Sequence, residues 1–364
     1  MPPAVPPTLI VFAEDARQME VVLSLTPELE ALGLGPSYMF FAESEFDTFD
    51  RYYDARRALP QLKSALASFR EALRRVPGDP GITFSVGYAL CCLRAFDRAL
   101  SVFRKLWPLC PHLRSLLAVW IGNALVMRSF GGGVQAAEWF NRAIEAEPLW
   151  PYAHYRAAIG CRESGDLTAA TSRAERSIEL NPSYPYGYYE LGNILLKRGD
   201  YLPAIASFQR ALGLAPRLAG ARYQLGRALL LSGRLAAARA EFSRMTQEFP
   251  RNPFGYVGLA NVAALERKRA AAVRWLRRAL ALDPDNPQAS ANLGSILLVN
   301  GRFDEAEPAL RRALCQAPED PWVGYHLAIA LAHRGKVGEA KAILGNVIRH
   351  CESYPDMAPV AESA

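Results

Sequence analysis

No run of 18 apolar residues occurs in this 364-residue chain, so nothing in it reads as a membrane-spanning helix. Cysteine is sparse. The six residues, Cys91, Cys92, Cys110, Cys161, Cys315 and Cys351, include no CxxC pair, and reduced, partly buried thiols are the expectation. The five histidines form no HExxH motif. His326 and His333 lie two helical turns apart, about 10 Å of rise, which is too far to share one metal ion. A nucleophile elbow and a dinucleotide fingerprint are both missing. The run Gly131-Gly132-Gly133 lacks the Lys-Ser/Thr that completes a phosphate-binding loop, and it reads as a lengthened turn that could hinge. The expectation is a protein that is not an enzyme, with no cofactor and no metal. Lysine is scarce as well: six of 42 basic residues, against 36 acidic ones, for a net charge of +6. Arginine pairs such as Arg277-Arg278 and Arg311-Arg312 fall on solvated helix faces, and no basic block resembles a nucleic-acid arm. The N-terminus is Pro-rich without a basic region, and its short apolar run Thr8 to Ala13 meets Glu14 and Asp15 at once. A secretory signal is therefore not expected, and a cytoplasmic location is.

What the chain has is a period. Proline recurs at Pro77, Pro111, Pro148, Pro182, Pro216, Pro250, Pro284 and Pro318, at spacings of 34 residues with a single 37. Gly165, Gly199, Gly233, Gly301 and Gly335 share a second phase, and Ala170, Ala204, Ala238, Ala272, Ala306 and Ala340 a third. One supersecondary unit is copied along the chain. In the copy from Pro185 to Leu218, Leu191, Ile194 and Leu195 mark one amphipathic helix, and Lys197-Arg198-Gly199-Asp200 ends it. Ala204, Ile205, Phe208, Ala211 and Leu212 mark a second helix, stopped by Ala215-Pro216. Gly192 and Ala204 sit where the pair must cross closely. Phe69, Phe103, Phe140, Phe208 and Phe242 fill the space between pairs.

Leu-Gly, then Gly-Asp-Tyr, then Ala-x-x-x-Phe-x-x-Ala, then Pro, over 34 residues, resembles the tetratricopeptide repeat family. The resemblance covers about residues 46–354. It implies an all-α, right-handed superhelical solenoid of about nine helix-turn-helix repeats, and a non-catalytic protein-protein interaction scaffold. In that family the first helix of each repeat lines a concave groove. Carried onto this chain, the richest stretch is Tyr155, Tyr186, Tyr189, Asn193, Lys197, Tyr223, Arg227 and Asn261. Amphipathic tyrosines around amides and cations suit an extended peptide with an acidic group. The same tyrosines would equally serve as packing between repeats. Two grooves known in the family are not matched. Tyr189 stands where a chaperone-tail clamp needs Lys, and Arg156, Glu190, Gln224 and Gly258 interrupt the asparagine ladder of the O-linked sugar transferase.

Several segments depart from the period. Residues 1–45 are expected to be a Pro-rich start and N-terminal cap, followed by a degenerate repeat, 46–79, with Pro60 at the turn phase. The aromatic cluster Tyr38, Phe40, Phe41, Phe46, Phe49, Tyr52 and Tyr53 offers the alternative of a segment that docks an enzyme partner, making the chain a regulatory or assembly subunit. Repeat 114–150 carries the glycine insertion, and 355–364 reads as a disordered tail. Arg267 occupies the turn-glycine phase of repeat 253–286, where a side chain is strained. The uncovered C-terminal end leaves homo-oligomerisation open.

Overall fold

Proline opens as well as closes the hairpins. The computed structural model describes residues 63, 66–128, 133–318 and 320–352. In it Pro80, Pro151, Pro185, Pro253, Pro287 and Pro321 each stand at the first turn of a helix, where the missing N–H costs nothing. After a helix over 66–75, eight hairpins follow. They are α1 (Pro80–Cys92) with α2 (Phe96–Leu106), and α3 (Arg114–Arg128) with α4 (Gly133–Ala146). Next come α5 (Pro151–Glu163) with α6 (Leu167–Leu180), and α7 (Pro185–Arg198) with α8 (Tyr201–Leu214). Then α9 (Ala219–Leu231) with α10 (Leu235–Glu248), and α11 (Pro253–Leu265) with α12 (Arg269–Leu282). The last are α13 (Pro287–Val299) with α14 (Phe303–Gln316), and α15 (Pro321–His333) with α16 (Val337–Glu352). There is no strand among the described residues. The expected N-terminal cap, the aromatic cluster, Pro60, Gly131-Gly132 and the tail lie outside them.

The contacts divide the chain into two compact units, one ending at Gln224 and one starting at Leu225. In the first, α3 touches α5 and α5 touches α7; in the second, α11 touches α13 and α13 touches α15. First helices of successive hairpins thus gather on one side of each unit. That placement buries them nearly all round. In α7, Tyr186, Tyr189, Glu190, Gly192, Ile194 and Leu195 are all covered. The second helices are one-sided, and α8 buries only Ala204, Ile205, Phe208 and Ala211.

The core of the hairpins is built on fully buried rings, Phe103, Phe140 and Phe208 in the first unit and Phe242 in the second, each lying on a glycine. A Cβ on Gly192 would stand 2.6 Å from Phe208 Cε1, and one on Gly226 would stand 2.5 Å from Phe242 Cε1. Glycine lets the paired helices approach to the thickness of a ring. A second device ties three of the hairpins to the loop before them. His154 Nε2 donates to the Pro148 carbonyl at 2.9 Å, Arg222 to that of Pro216 at 2.7 Å and the Tyr256 hydroxyl to that of Pro250 at 3.1 Å. Three unrelated side chains at one phase satisfy a carbonyl that a proline-terminated helix leaves over. At the turns, Gly165, Gly199, Gly233, Gly301 and Gly335 are left-handed. Arg267 takes the same conformation at φ 60°, as its phase predicts, and so does Arg94 at φ 59°.

Candidate functional site

The expected groove tyrosines are largely inside the protein. Tyr155, Tyr186, Tyr189 and Tyr223 are all buried. Tyr155 lies 5.8 Å from Tyr186 and 5.9 Å from Tyr184, and Tyr152 closes on Tyr155 at 6.0 Å. Tyr189 packs on Phe208 at 6.1 Å. The contacts of Tyr155 with Tyr184 and Tyr186 join one hairpin to the next, and Tyr189 on Phe208 packs the two helices of one hairpin together. They supply the wall beneath a face rather than its exposed surface.

The polar residues of the first unit meet around Glu190, which is 1% exposed. Arg162 Nε, on the preceding hairpin, donates to Glu190 Oε1 at 2.5 Å, and Asn193 Nδ2 donates to Oε2 at 3.2 Å. Burial pulls the Arg162 guanidinium down, but the Glu190 charge outweighs that, and Arg162 is held above its ordinary range. Lys197 Nζ donates to the Arg162 carbonyl at 2.8 Å, which caps the C-terminal end of α5. Lys197 therefore helps to join two hairpins while staying exposed, and Asn193 braces Glu190 within α7. Nearby, Arg156 is buried with its guanidinium 5.7 Å from the Tyr155 ring and 5.9 Å from that of Phe140. Glu190 and Arg156 were legible only as interruptions of a ladder, because a pairing 28 residues away leaves no local signal.

In the second unit Arg227 is exposed and Asn261 half-buried. Asn292 Nδ2 donates to Asn261 Oδ1 at 2.8 Å, and Ser295 Oγ bonds His326 Nδ1 at 2.9 Å. The two pairs repeat one geometry, in which the ninth residue of one first-helix repeat meets the sixth of the next. Each asparagine keeps capacity to spare: Asn261 its amide NH2, and Asn292 its carbonyl oxygen and second N–H, so the pair offers both a donor and an acceptor. Burial lowers the His326 pKa, partly offset by Asp320. His333 is elsewhere, stacked on Phe303 at 4.1 Å. Among the described residues, no group of three His, Cys, Asp or Glu is placed to hold a metal ion. No helix among them is long and apolar enough to cross a membrane. Cys110, Cys161 and Cys315 are free thiols.

Stacked helix hairpins with side-by-side first helices define a helical-repeat protein, and sequence comparison names the repeat. Family models described as tetratricopeptide repeat match residues 155–219, 189–253, 257–321 and 297–350. The chain belongs to the tetratricopeptide repeat family, whose fold is generally a non-catalytic scaffold for binding peptides and proteins. Among solved structures, a thermophilic TPR protein of Thermus thermophilus is 28% identical over 50% of this chain and 99% of its own, with a TM-score of 0.46. A tetratricopeptide repeat protein from Parabacteroides merdae is 16% identical over 78% of this chain and 98% of its own, with a TM-score of 0.53. A monomeric mutant of IFIT1 with Gppp-AAAA is 15% identical over 93% of this chain and 83% of its own, with a TM-score of 0.58. The last two share the fold. A search of curated proteins found no match.

Proposed function

We propose that this protein holds an extended partner segment along the faces made by its first helices, and performs no chemistry of its own. The observation that carries the reading is the Asn261–Asn292 pair. It is partly exposed, joins two adjacent first helices, and presents the one donor and one acceptor that a peptide unit needs. Arg227 in the same unit, and Lys197 beside Asn193 in the first, add cations that suit an acidic group. Tyr155, Tyr186, Tyr189 and Tyr223 hold the helices that carry these groups in register. Each hairpin then contributes a modest increment along an extended ligand.

The test uses exposed or half-buried positions, whose replacement leaves the ring packing alone. Asn261→Ala, Arg227→Glu and Lys197→Glu are compared with wild type in affinity capture from native lysate, with circular dichroism to check folding. Arg312→Glu, exposed on α14, is the control. Partners lost from the first three and kept by the control are expected. Partners kept by all four would take the first-helix faces out of the mechanism.

A further inference from the structure

Resting on that reading, the second unit carries a feature that specifies its ligand. Leu231, Leu265 and Val299 occupy the same phase at the ends of α9, α11 and α13, and they are 48%, 56% and 64% exposed. An isolated exposed leucine means nothing, but a row repeated at one phase does. Three residues after each comes a cation: Arg234, Lys268 and Arg302, all exposed. The hairpins α5–α6 and α7–α8 have charged Glu163 and Lys197 at the first of these phases, and acidic Asp166 and Asp200 at the second. So over α9, α11 and α13 the row is apolar where it was charged, and its flank is basic where it was acidic; His333 and Lys336 hold these phases in the last hairpin. Residues 225–352 hold eighteen Arg and Lys against twelve Asp and Glu.

The cations are available. Arg234 makes no ion pair among the described residues. Lys268 pairs with Glu266 at 3.1 Å, and Arg302 Nε with Glu305 at 2.8 Å, both at the surface, where such pairs are worth little and exchange readily. Touching helices are about 8–10 Å apart, and an extended chain advances about 3.3 Å per residue, so one hairpin step matches three residues of ligand. We infer that this strip binds an extended acidic segment of a partner protein, with apolar side chains at every third position on Leu231, Leu265 and Val299 and carboxylates between them on the arginines and lysine.

The probe is a fluorescein-labelled twelve-residue peptide with Leu at every third position and Asp or Glu between, read by polarisation against the full chain. Binding should weaken at least tenfold in Arg234→Glu/Lys268→Glu, at least tenfold in Leu265→Ser/Val299→Ser, and steeply with added salt. Peptides with Lys for the acids, or Ser for Leu, should bind at least tenfold more weakly than the probe. Equal binding of the three peptides, or probe binding indifferent to both double variants, would overturn the inference. So would sedimentation showing a dimer that Leu265→Ser abolishes, since the strip would then be covered by a second copy. The two readings fail separately. A silent probe with captured partners still sensitive to Asn261→Ala removes the strip and keeps the groove. A strip-dependent probe with partners indifferent to Asn261→Ala does the reverse.

Discussion

Replacing Gly192 by alanine tests whether the ring-on-glycine contact sets the spacing of the paired helices. The new Cβ would lie 2.6, 2.7 and 2.8 Å from Cε1, Cδ1 and Cζ of Phe208, a ring with no exposed surface. Overpacking of this kind costs about 1–3 kcal/mol. Alanine is favoured over glycine within a helix by about 0.8–1 kcal/mol, which offsets part of that cost. The net expectation is a loss of about 0–2 kcal/mol. Gly213, on the partner helix α8, provides the control, because a Cβ there meets nothing within 4 Å. Gly213→Ala should be neutral or stabilise by up to about 0.5–1 kcal/mol, so the same substitution changes sign within one hairpin. The preceding hairpin shows the compensated form: buried Ala158 stands at the Gly192 phase and buried Ala174 at the Phe208 phase. Urea unfolding followed by far-UV circular dichroism gives the stability difference. Repeat arrays open locally, so hydrogen exchange of the α7 and α8 amides places it in the hairpin. A Gly192→Ala variant as stable as Gly213→Ala would refute the close-approach argument.

Two further outcomes follow from strain and charge. Arg267→Gly should raise the melting temperature, because a left-handed non-glycine costs about 1–2 kcal/mol and glycine returns only about 0.4–1 kcal/mol of that through unfolded-state entropy. Arg267→Ala keeps the strain and should give no gain; equal gains from both would assign the effect to the lost charge instead. Glu307 is buried and takes Lys336 Nζ at 2.8 Å, Arg311 Nε at 3.0 Å and an arginine N–H of Arg334. Burial raises its pKa, and the three bonds more than reverse that, to about 2. A lowered carboxylate pKa stabilises fully above the unfolded value of about 4.5 and is lost as pH falls toward 2. The stability gap between wild type and Glu307→Gln should therefore narrow from pH 5 to pH 2 in acid unfolding curves. A gap that stays constant would contradict the depressed value.

Repeat length, helix order and turn positions were legible because they rest on local chemistry. Gly199 ends α7 through a backbone conformation that the residue type itself permits, and Arg267 could be flagged as strained from phase alone. Arg94 sits at the same phase and draws no notice from sequence, because the 37-residue step between Pro111 and Pro148 separates it from the run of turn glycines. The site was legible in part. Phase places Asn193, Lys197, Arg227 and Asn261 on first helices, but it cannot tell a residue that faces solvent from one that faces the next hairpin.

By itself, then, the sequence determined a tandem array of helix hairpins and which helix of each carries the tyrosines, since a 34-residue period and 3.6-residue helical spacing are properties of the chain alone. Only the tertiary structure decided that Tyr155, Tyr186, Tyr189 and Tyr223 are wall rather than surface, that Glu190 draws in Arg162 and Asn193, and that Asn261 meets Asn292. Those outcomes depend on how closely paired helices approach, which is set by rings packed on glycines, and on pairings across about thirty residues that no local pattern encodes.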